Sequence, residues 1–468
     1  MADQSTVRDI EKYVLGEVWT SDEIYTNLRY ICDDLGSRFG GSESEHQAGQ
    51  FLLGKMKEYG LQNAHLEEFP VYTWERGTCE LTMLAPLERT FSAISMPFTG
   101  SGVIEGEMID IGEGETADFE RAGEAIRGKI ILTAAETNKP GEVTLHRTDK
   151  FRLAVAAGAI GCIFVNKNPG MLHITGSLYA QNPQGGEDSD HESAIPGIGI
   201  NHESGSMIRR LAERGAVRMK IHTENKTYLS RSYNVIGDIP GQHPEEIVLM
   251  GGHYDGHDVA QGAADDGAGT LVGLEAGRVL APFAGQMRRT VRVICFAYEE
   301  LGLGGSWKHH ERYLNGNEKL VIALNLDGAG REGTDQITVT GDETLTGWFR
   351  GLSGDLKHNM EVRNRVGTHS DHFPFFRAGF PTATLNTRDS TVGMIGRGYG
   401  HTEADTVDKV TLRGLQGGAA TAARVAAYLA TVEPFPVERR DTEVVIAELE
   451  KAGQGYHAHH WSIANRVL

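Results

Sequence analysis

Three polar clusters follow directly on apolar, strand-like runs, the positions at which an open α/β sheet presents its ligand crevice. His253 and Asp255 follow IVLMGG, Glu299 and Glu300 follow VICFAY, and Asp327 follows LVIALNL. Two further clusters sit in glycine-rich loops, Asp265 and Asp266 in QGAADDGAGT and His401 in GRGYGHTEADT. Imidazoles mixed with carboxylates are the donors of a paired divalent-metal site. Zinc takes nitrogen and carboxylate oxygen at about 2.0–2.2 Å, and one carboxylate can bridge two ions about 3.5–4 Å apart. Two His and three carboxylates supply one His and one terminal carboxylate per ion plus the bridge, and one acidic residue of the Glu pair is left over as a base. Each element alone has a plainer reading: a polar turn for HxD, a solvated turn for the Glu pair, a helix N-cap for the two Asp before GAG. Their joint occurrence at three successive strand ends points to metal.

The elements that must hold these residues alternate. From about residue 230 the runs EEIVLMGGHYD, TLVGLEAGRVLAPF, TVRVICFAYEE, GSWKHHERYL, KLVIALNLDG, QITVTG and PTATLNT, then a helix over about 412–431, read as strands separated by helices. That pattern implies βαβ units and a mixed, mainly parallel sheet between helices. Residues 1–83 read as helices followed by an extended segment, EEFPVYTWERG, and Ser21 is the expected N-cap of the second helix. Between 84 and 224 the text changes to short strands and turns, including GKIILTAA, IGCIFVNKN and VRMKIHT, with one small-residue helix, FRLAVAAGA. This is expected to be a β-rich unit inserted into the α/β domain, which resumes over 225–433. A tail over 434–468 carries one amphipathic stretch, TEVVIAELEKAG, suited to docking on the main body or on a partner subunit.

The ordered set GGHYDGHDVAQGAADDGAGT, AYEELGLGGS, LNLDGAG, HSDHFPFFRAGFP and GHTEADTVDKV, with LGSRFGGS upstream, resembles the motifs of the zinc aminopeptidase and glutamate carboxypeptidase family. The resemblance spans most of residues 30–430. It implies the α/β/α zinc-exopeptidase fold, with the β-rich insertion similar to a protease-associated domain. It implies two zinc ions, for which cobalt or manganese can substitute, with His253 and Asp327 on one, Glu300 and His401 on the other, and Asp265 bridging. Glu299 matches the family's general base, and Asp255 the carboxylate that orients the His253 ring. Asp266 follows the bridging residue across a peptide that is often cis in such proteins. The family's substrate-polarising tyrosine has no matching position, with His369, Tyr399 or a backbone amide as stand-ins, and the arginine patch of its glutamate-tail-cleaving branch is not legible, Arg388 and Arg397 being candidates by proximity in sequence alone.

The implied activity is hydrolysis of N-terminal residues from dipeptides or short peptides. The alternatives are a carboxypeptidase or N-acyl amino-acid amidohydrolase using the same ions and, more remotely, a non-catalytic receptor-like binding protein. The resemblance implies a peptide substrate, and the charge argues against nucleic acid as a partner: 45 basic against 64 acidic side chains give a formal charge of −19, which repels phosphate backbones. No run of about 18 apolar residues suggests a membrane span. The opening MADQSTVRDIEKYV lacks a basic then apolar leader pattern, so a cytoplasmic protein is the expectation, with a secreted mature form as the alternative and a homodimer as the candidate assembly. Cys32, Cys79, Cys162 and Cys295 form no metal pattern and read as reduced structural thiols. His309 and His310 are expected on a helix surface, and His457, His459 and His460 in an exposed or interface cluster of the tail.

Overall fold

The computed structural model of the chain describes residues 4–137, 144–178, 195–316, 318–387 and 398–459. The chain divides into two compact units, one of Met1–Val71, Ser230–Ser390 and Asp405–Leu468, the other of Tyr72–Leu229 and Thr391–Ala404.

The first unit is built on an eight-stranded sheet. In chain order its strands are β1 (Gln62–Glu75), β2 (Lys226–Ile239), β3 (His243–His253), β4 (Arg289–Phe296), β5 (Lys319–Asn325), β6 (Thr334–Val339), β7 (Glu361–Asn364) and β8 (Thr382–Thr387). Their spatial order is β1-β2-β4-β3-β5-β8-β6-β7. The centre, β4-β3-β5-β8, is parallel, and β2 on β4 and β6 on β8 are antiparallel. Parallel strands covered on both faces read as continuous apolar runs, which is why IVLM, VICF and LVIAL carry little alternation.

Successive residues of β3 nonetheless face opposite layers. Ile247 and Leu249 pack with Ile294 and Phe296 of β4 against Tyr313, Phe375 and Phe380. Those aromatics come from the helix Gly304–Asn315, the helix His372–Arg377 and the turn after it. Helices Gln4–Thr20, Ala268–Leu280 and Leu412–Thr431 pack on one another, and the latter two also against β3 and β4. The Ala268–Leu280 helix is buried along nearly its whole length because it lies between sheet and helix, so its sequence is apolar all round. The result is three layers, α/β/α.

The second unit has its own eight-stranded mixed sheet, in the order Arg89–Phe91, Cys79–Ala85, Arg218–Thr223, Gly102–Asp110, Ile130–Ala134, Gly161–Val165, Gly197–Ile200, Ile94–Ser95. Two apolar clusters cover its faces, one around Leu132, Ile163 and Ile221, the other around Phe151, Cys162 and Phe164. All four cysteines are free, and Cys32, Cys162 and Cys295 are buried. Among the described residues no helix is long and apolar enough to cross a membrane.

Several expectations need correction. Asp22, not Ser21, precedes the helix Glu23–Arg29, although the Ser21 hydroxyl still accepts from the Glu23 N–H at 3.2 Å. His309 is not on the surface: it is fully buried, with Nδ1 3.0 Å from Glu67 Oε2 and Nε2 3.0 Å from the Tyr313 hydroxyl. His310 is only partly exposed and stacks edge-on with Trp307. In the tail, His457 is buried with its ring 4.8 Å from that of His369, while His459 is exposed and pairs with Glu450. His460 lies outside the described residues.

The tail helix Thr442–Lys451 docks on its own unit, with Val445 and Leu449 fully buried against Trp307, Phe373, Phe376 and Ala458. Leu449→Ala should therefore destabilise the protein by about 2–5 kcal/mol, the range for removing a buried leucine. Urea unfolding checks this, and a midpoint equal to that of the parent protein would mean that the tail does not contribute to the core.

Candidate metal centre

The register of the parallel strands brings the sequence-predicted residues together. His253 is level with Phe296, and Gly251 pairs with Ile294 on one side and Asn325 on the other. The chain therefore leaves β3, β4 and β5 at one sheet edge, where His253, the Glu299–Glu300 pair and Asp327 follow.

Asp255 ties two of these ends together. His253 is buried, and its Nδ1 lies 3.1 Å from the Asp255 carbonyl oxygen and 3.4 Å from Asp255 Oδ1. The same carboxylate accepts from the backbone N–H of Glu299 at 3.0 Å and of Glu300 at 3.1 Å. With Nδ1 engaged in this way, His253 Nε2 is turned toward the carboxylates, 3.5 Å from Asp265 Oδ1 and 3.8 Å from Glu299 Oε2.

Asp265 and Asp266, joined by a cis peptide, do different work. Asp266 Oδ1 accepts from Gly269 N–H at 3.1 Å and from Gly328 N–H at 3.3 Å, so it ties the first turn of the helix Ala268–Leu280 to the loop after β5. It sits so close to β3 that a Cβ at Gly252 would come within 2.2 Å of its Oδ2, and glycine is required there. Asp327 Oδ2 accepts from the Ser370 hydroxyl at 2.6 Å, and Asn325 Nδ2 donates to that same Ser370 oxygen at 2.7 Å.

The electrostatics are those of a polyanionic nest. Burial pushes the Glu299 carboxyl well above the usual carboxylate range, with Glu300, Asp371 and Asp327 adding to the shift and His253 opposing it. Asp266 moves the same way, by burial first and then by Asp327. Burial opposes protonation of His253, but Glu299, Asp255 and Asp265 raise its pKa well above the ordinary imidazole value. Asp371, also buried, is pushed up to about 7. Carboxylates this crowded cannot all ionise without a cation among them.

The donor set fits a divalent ion on two observations. His253, Asp266 and Asp327 offer ligand atoms within 4.8 Å of one another. Asp266 Oδ2 is moreover buried without a hydrogen-bond partner among the described residues. A second donor pair lies alongside: His257 Nε2 is 3.0 Å from Glu300 Oε2, and both residues are buried.

His401 belongs to the second unit. Its Nδ1 is 3.2 Å from the Thr175 carbonyl oxygen, and its own carbonyl accepts from the Thr175 N–H at 2.9 Å. A ring that donates Nδ1–H to a carbonyl keeps Nε2 as its ligand atom. Arg388 and Arg397 lie outside the described residues.

Two residues at this edge had no role in the sequence reading. His257 follows Asp255 by two positions in the same strand-end loop, and HYDGH was the available signal. Asp371 stood in HSDHFPFF, a motif without an assigned role, next to the serine that holds Asp327.

Comparison with known proteins supplies the context for this geometry. Residues 234–426 match peptidase family M28, and residues 102–208 match the PA domain. The chain is 27% identical over 427 residues to carboxypeptidase Q of Mus musculus, covering 87% of this chain and 86% of that protein. Among solved structures, the peptidase M28 precursor of Shewanella amazonensis superposes with a TM-score of 0.78 at 22% identity, over 94% of this chain and 99% of that one. A zinc aminopeptidase of Bacillus subtilis superposes with a TM-score of 0.64 at 23% identity, over 89% and 98%.

Proposed function

Since the chain is a metallo-exopeptidase of peptidase family M28 with an inserted PA domain, we propose that it works with two zinc ions and removes N-terminal residues from dipeptides and short peptides. The observation that carries this reading is the convergence of His253, Asp265, Glu299, Glu300 and Asp327 at one sheet edge, with His253 Nε2 turned toward the carboxylates. The zinc aminopeptidase of similar fold supports the choice of metal. In this reading His253, Asp327 and Asp265 would hold one ion, with Asp265 assigned by its motif although it is Asp266 that completes the compact trio with His253 and Asp327. Glu300 and Asp265 hold the other, with His401 assigned by its GHTEADT motif and His257 as an additional donor beside Glu300.

Bound metal would supply Lewis acidity to water and to the scissile carbonyl. The chain's own residues supply the proton path. Glu299 takes a proton from the attacking water at its carboxylate while the oxygen adds to the carbonyl carbon. The C–N bond then breaks, and Glu299 returns that proton to the leaving nitrogen. Without a cation, burial and the neighbouring carboxylates raise the proton affinity of Glu299; bound metal would offset that crowding and leave the carboxylate able to take the proton and later return it. Asp255 keeps His253 in the tautomer that leaves Nε2 free, and by holding the Glu299 amide it fixes where the base starts.

A carboxypeptidase reading has one specific support, the name of the relative carboxypeptidase Q. A panel of free, N-acetylated and C-amidated dipeptides, followed by amino-acid release, separates the two. Free and amidated dipeptides should be cleaved at similar rates and acetylated ones far more slowly. Cleavage of the acetylated set at the rate of the free set would move the assignment to a carboxypeptidase or amidohydrolase.

A further inference from the structure

The loop that leaves His253 and arrives at Asp265 has no strand or helix of its own before Ala263, yet it is held along its length by two buried side chains from distant parts of the sequence. Arg38 is fully buried. Its guanidinium donates to the carbonyl oxygens of Tyr254 and Gln261, each at 2.6 Å, and of Gly262 at 2.9 Å. The same group anchors itself on the Ile31 and Gly36 carbonyls at 3.1 and 2.7 Å. Asp405 takes the amides instead. Its Oδ1 accepts from Ala264 N–H at 2.8 Å, its Oδ2 from Asp265 N–H at 3.1 Å, and its carbonyl oxygen from Gln261 N–H at 3.1 Å. The packing is close: a Cβ at Gly262, where φ is +57°, would stand 3.2 Å from Arg38 Nη2 and 3.1 Å from the Asp265 carbonyl.

The residue types match this geometry. Only a planar guanidinium offers five donors in a fixed fork, and only a carboxylate offers an acceptor oxygen to each of two consecutive amides. Burying both charges is costly unless every donor and acceptor is used. Here the bonds concentrate on the segment whose last amide belongs to Asp265, the residue whose Oδ1 faces His253 Nε2.

We propose that Arg38 and Asp405 are positioning residues for the metal centre, fixing the 254–265 loop through its carbonyls and its amides and thereby aiming the Asp265 carboxylate at the bridging position. The proposal rests on the two-ion reading above. Its consequence is specific: the bridge decides whether a second ion stays beside the first, so a loosened loop weakens the second equivalent of metal more than the first.

The test compares full-length parent protein with Asp405→Asn, which leaves one acceptor oxygen where two amides need one each, and with Arg38→Lys, which keeps charge and loses the fork. Each protein is stripped of metal, its fold and thermal midpoint are recorded, and it is titrated with zinc against a chromophoric competing chelator. Both variants should bind the first equivalent like the parent and the second 10–100-fold more weakly, roughly the loss seen when a partner behind a metal ligand is removed. Parent-like affinity at both equivalents with a lowered metal-free midpoint would make the two residues scaffold only and overturn the proposal, as would equal weakening at both equivalents. If Arg38→Lys does not fold, the milder Asp405→Asn decides. A parent protein that takes up a single equivalent defeats the two-ion reading itself, an outcome visible before any variant is compared.

Discussion

Glu299→Gln should lower kcat by on the order of 10²–10⁴ while leaving bound metal nearly unchanged. The amide keeps the shape and packing of the carboxyl but cannot accept the proton of the attacking water. Glu300→Gln should behave differently, losing metal together with activity, because Glu300 sits with His257 as a donor pair at 3.0 Å. The two residues are sequence neighbours with backbone amides held by one carboxylate, so the contrast between them isolates the side chains. Metal analysis beside steady-state kinetics reads both. Metal loss in Glu299→Gln with retention in Glu300→Gln would exchange the two roles, and parent-like behaviour of both would place the chemistry elsewhere.

Stripping the protein with a strong chelator should abolish activity, and about two equivalents of zinc or cobalt per chain should restore it. The size of the effect follows from the electrostatics. Without a cation, burial and mutual repulsion drive Glu299 and Asp266 toward their protonated forms, and a protonated Glu299 is no base. In the proposed reading bound metal would do more than polarise substrate: by offsetting the crowded carboxylates it would let Glu299 hold the charge state on which proton transfer depends. Restoration to full activity at one equivalent would remove the need for Asp265 as a bridge.

Legibility in the sequence followed the range of the interactions. The sheet centre was readable because strands covered on both faces have to be apolar runs, and the polar residue ending each run marks the crevice edge. His253, Glu299, Glu300 and Asp327 are the residues that follow those runs at that edge. Asp265 and Asp266 part company in the structure: Asp266 accepts from an amide in the first turn of the helix Ala268–Leu280, and Asp265 faces His253. What escaped depends on contacts between distant segments. His309 looks like a surface histidine until Glu67, on a strand far earlier in the chain, is placed beside it. Arg38 stood in a glycine-rich string, and nothing local shows that its fork closes on carbonyls more than 200 residues away. His257 is intermediate: its spacing from Asp255 was visible, but its partner was fixed only by the path of the strand-end loop.

The carboxylate of Asp255 serves three clients, the His253 ring and the amides of Glu299 and Glu300. In the proposed reading, ligand tautomer, base position and the start of a second ligand thus share one mechanical support. These properties cannot drift independently. A sequence change that shifts Asp255 alters all three at once, and substitutions at Asp255, His253 and Glu299 will be strongly epistatic rather than additive. Evolution toward a new substrate is accordingly freer in the loops that line the crevice than at this corner, where a gain in one property is tied to losses in the other two.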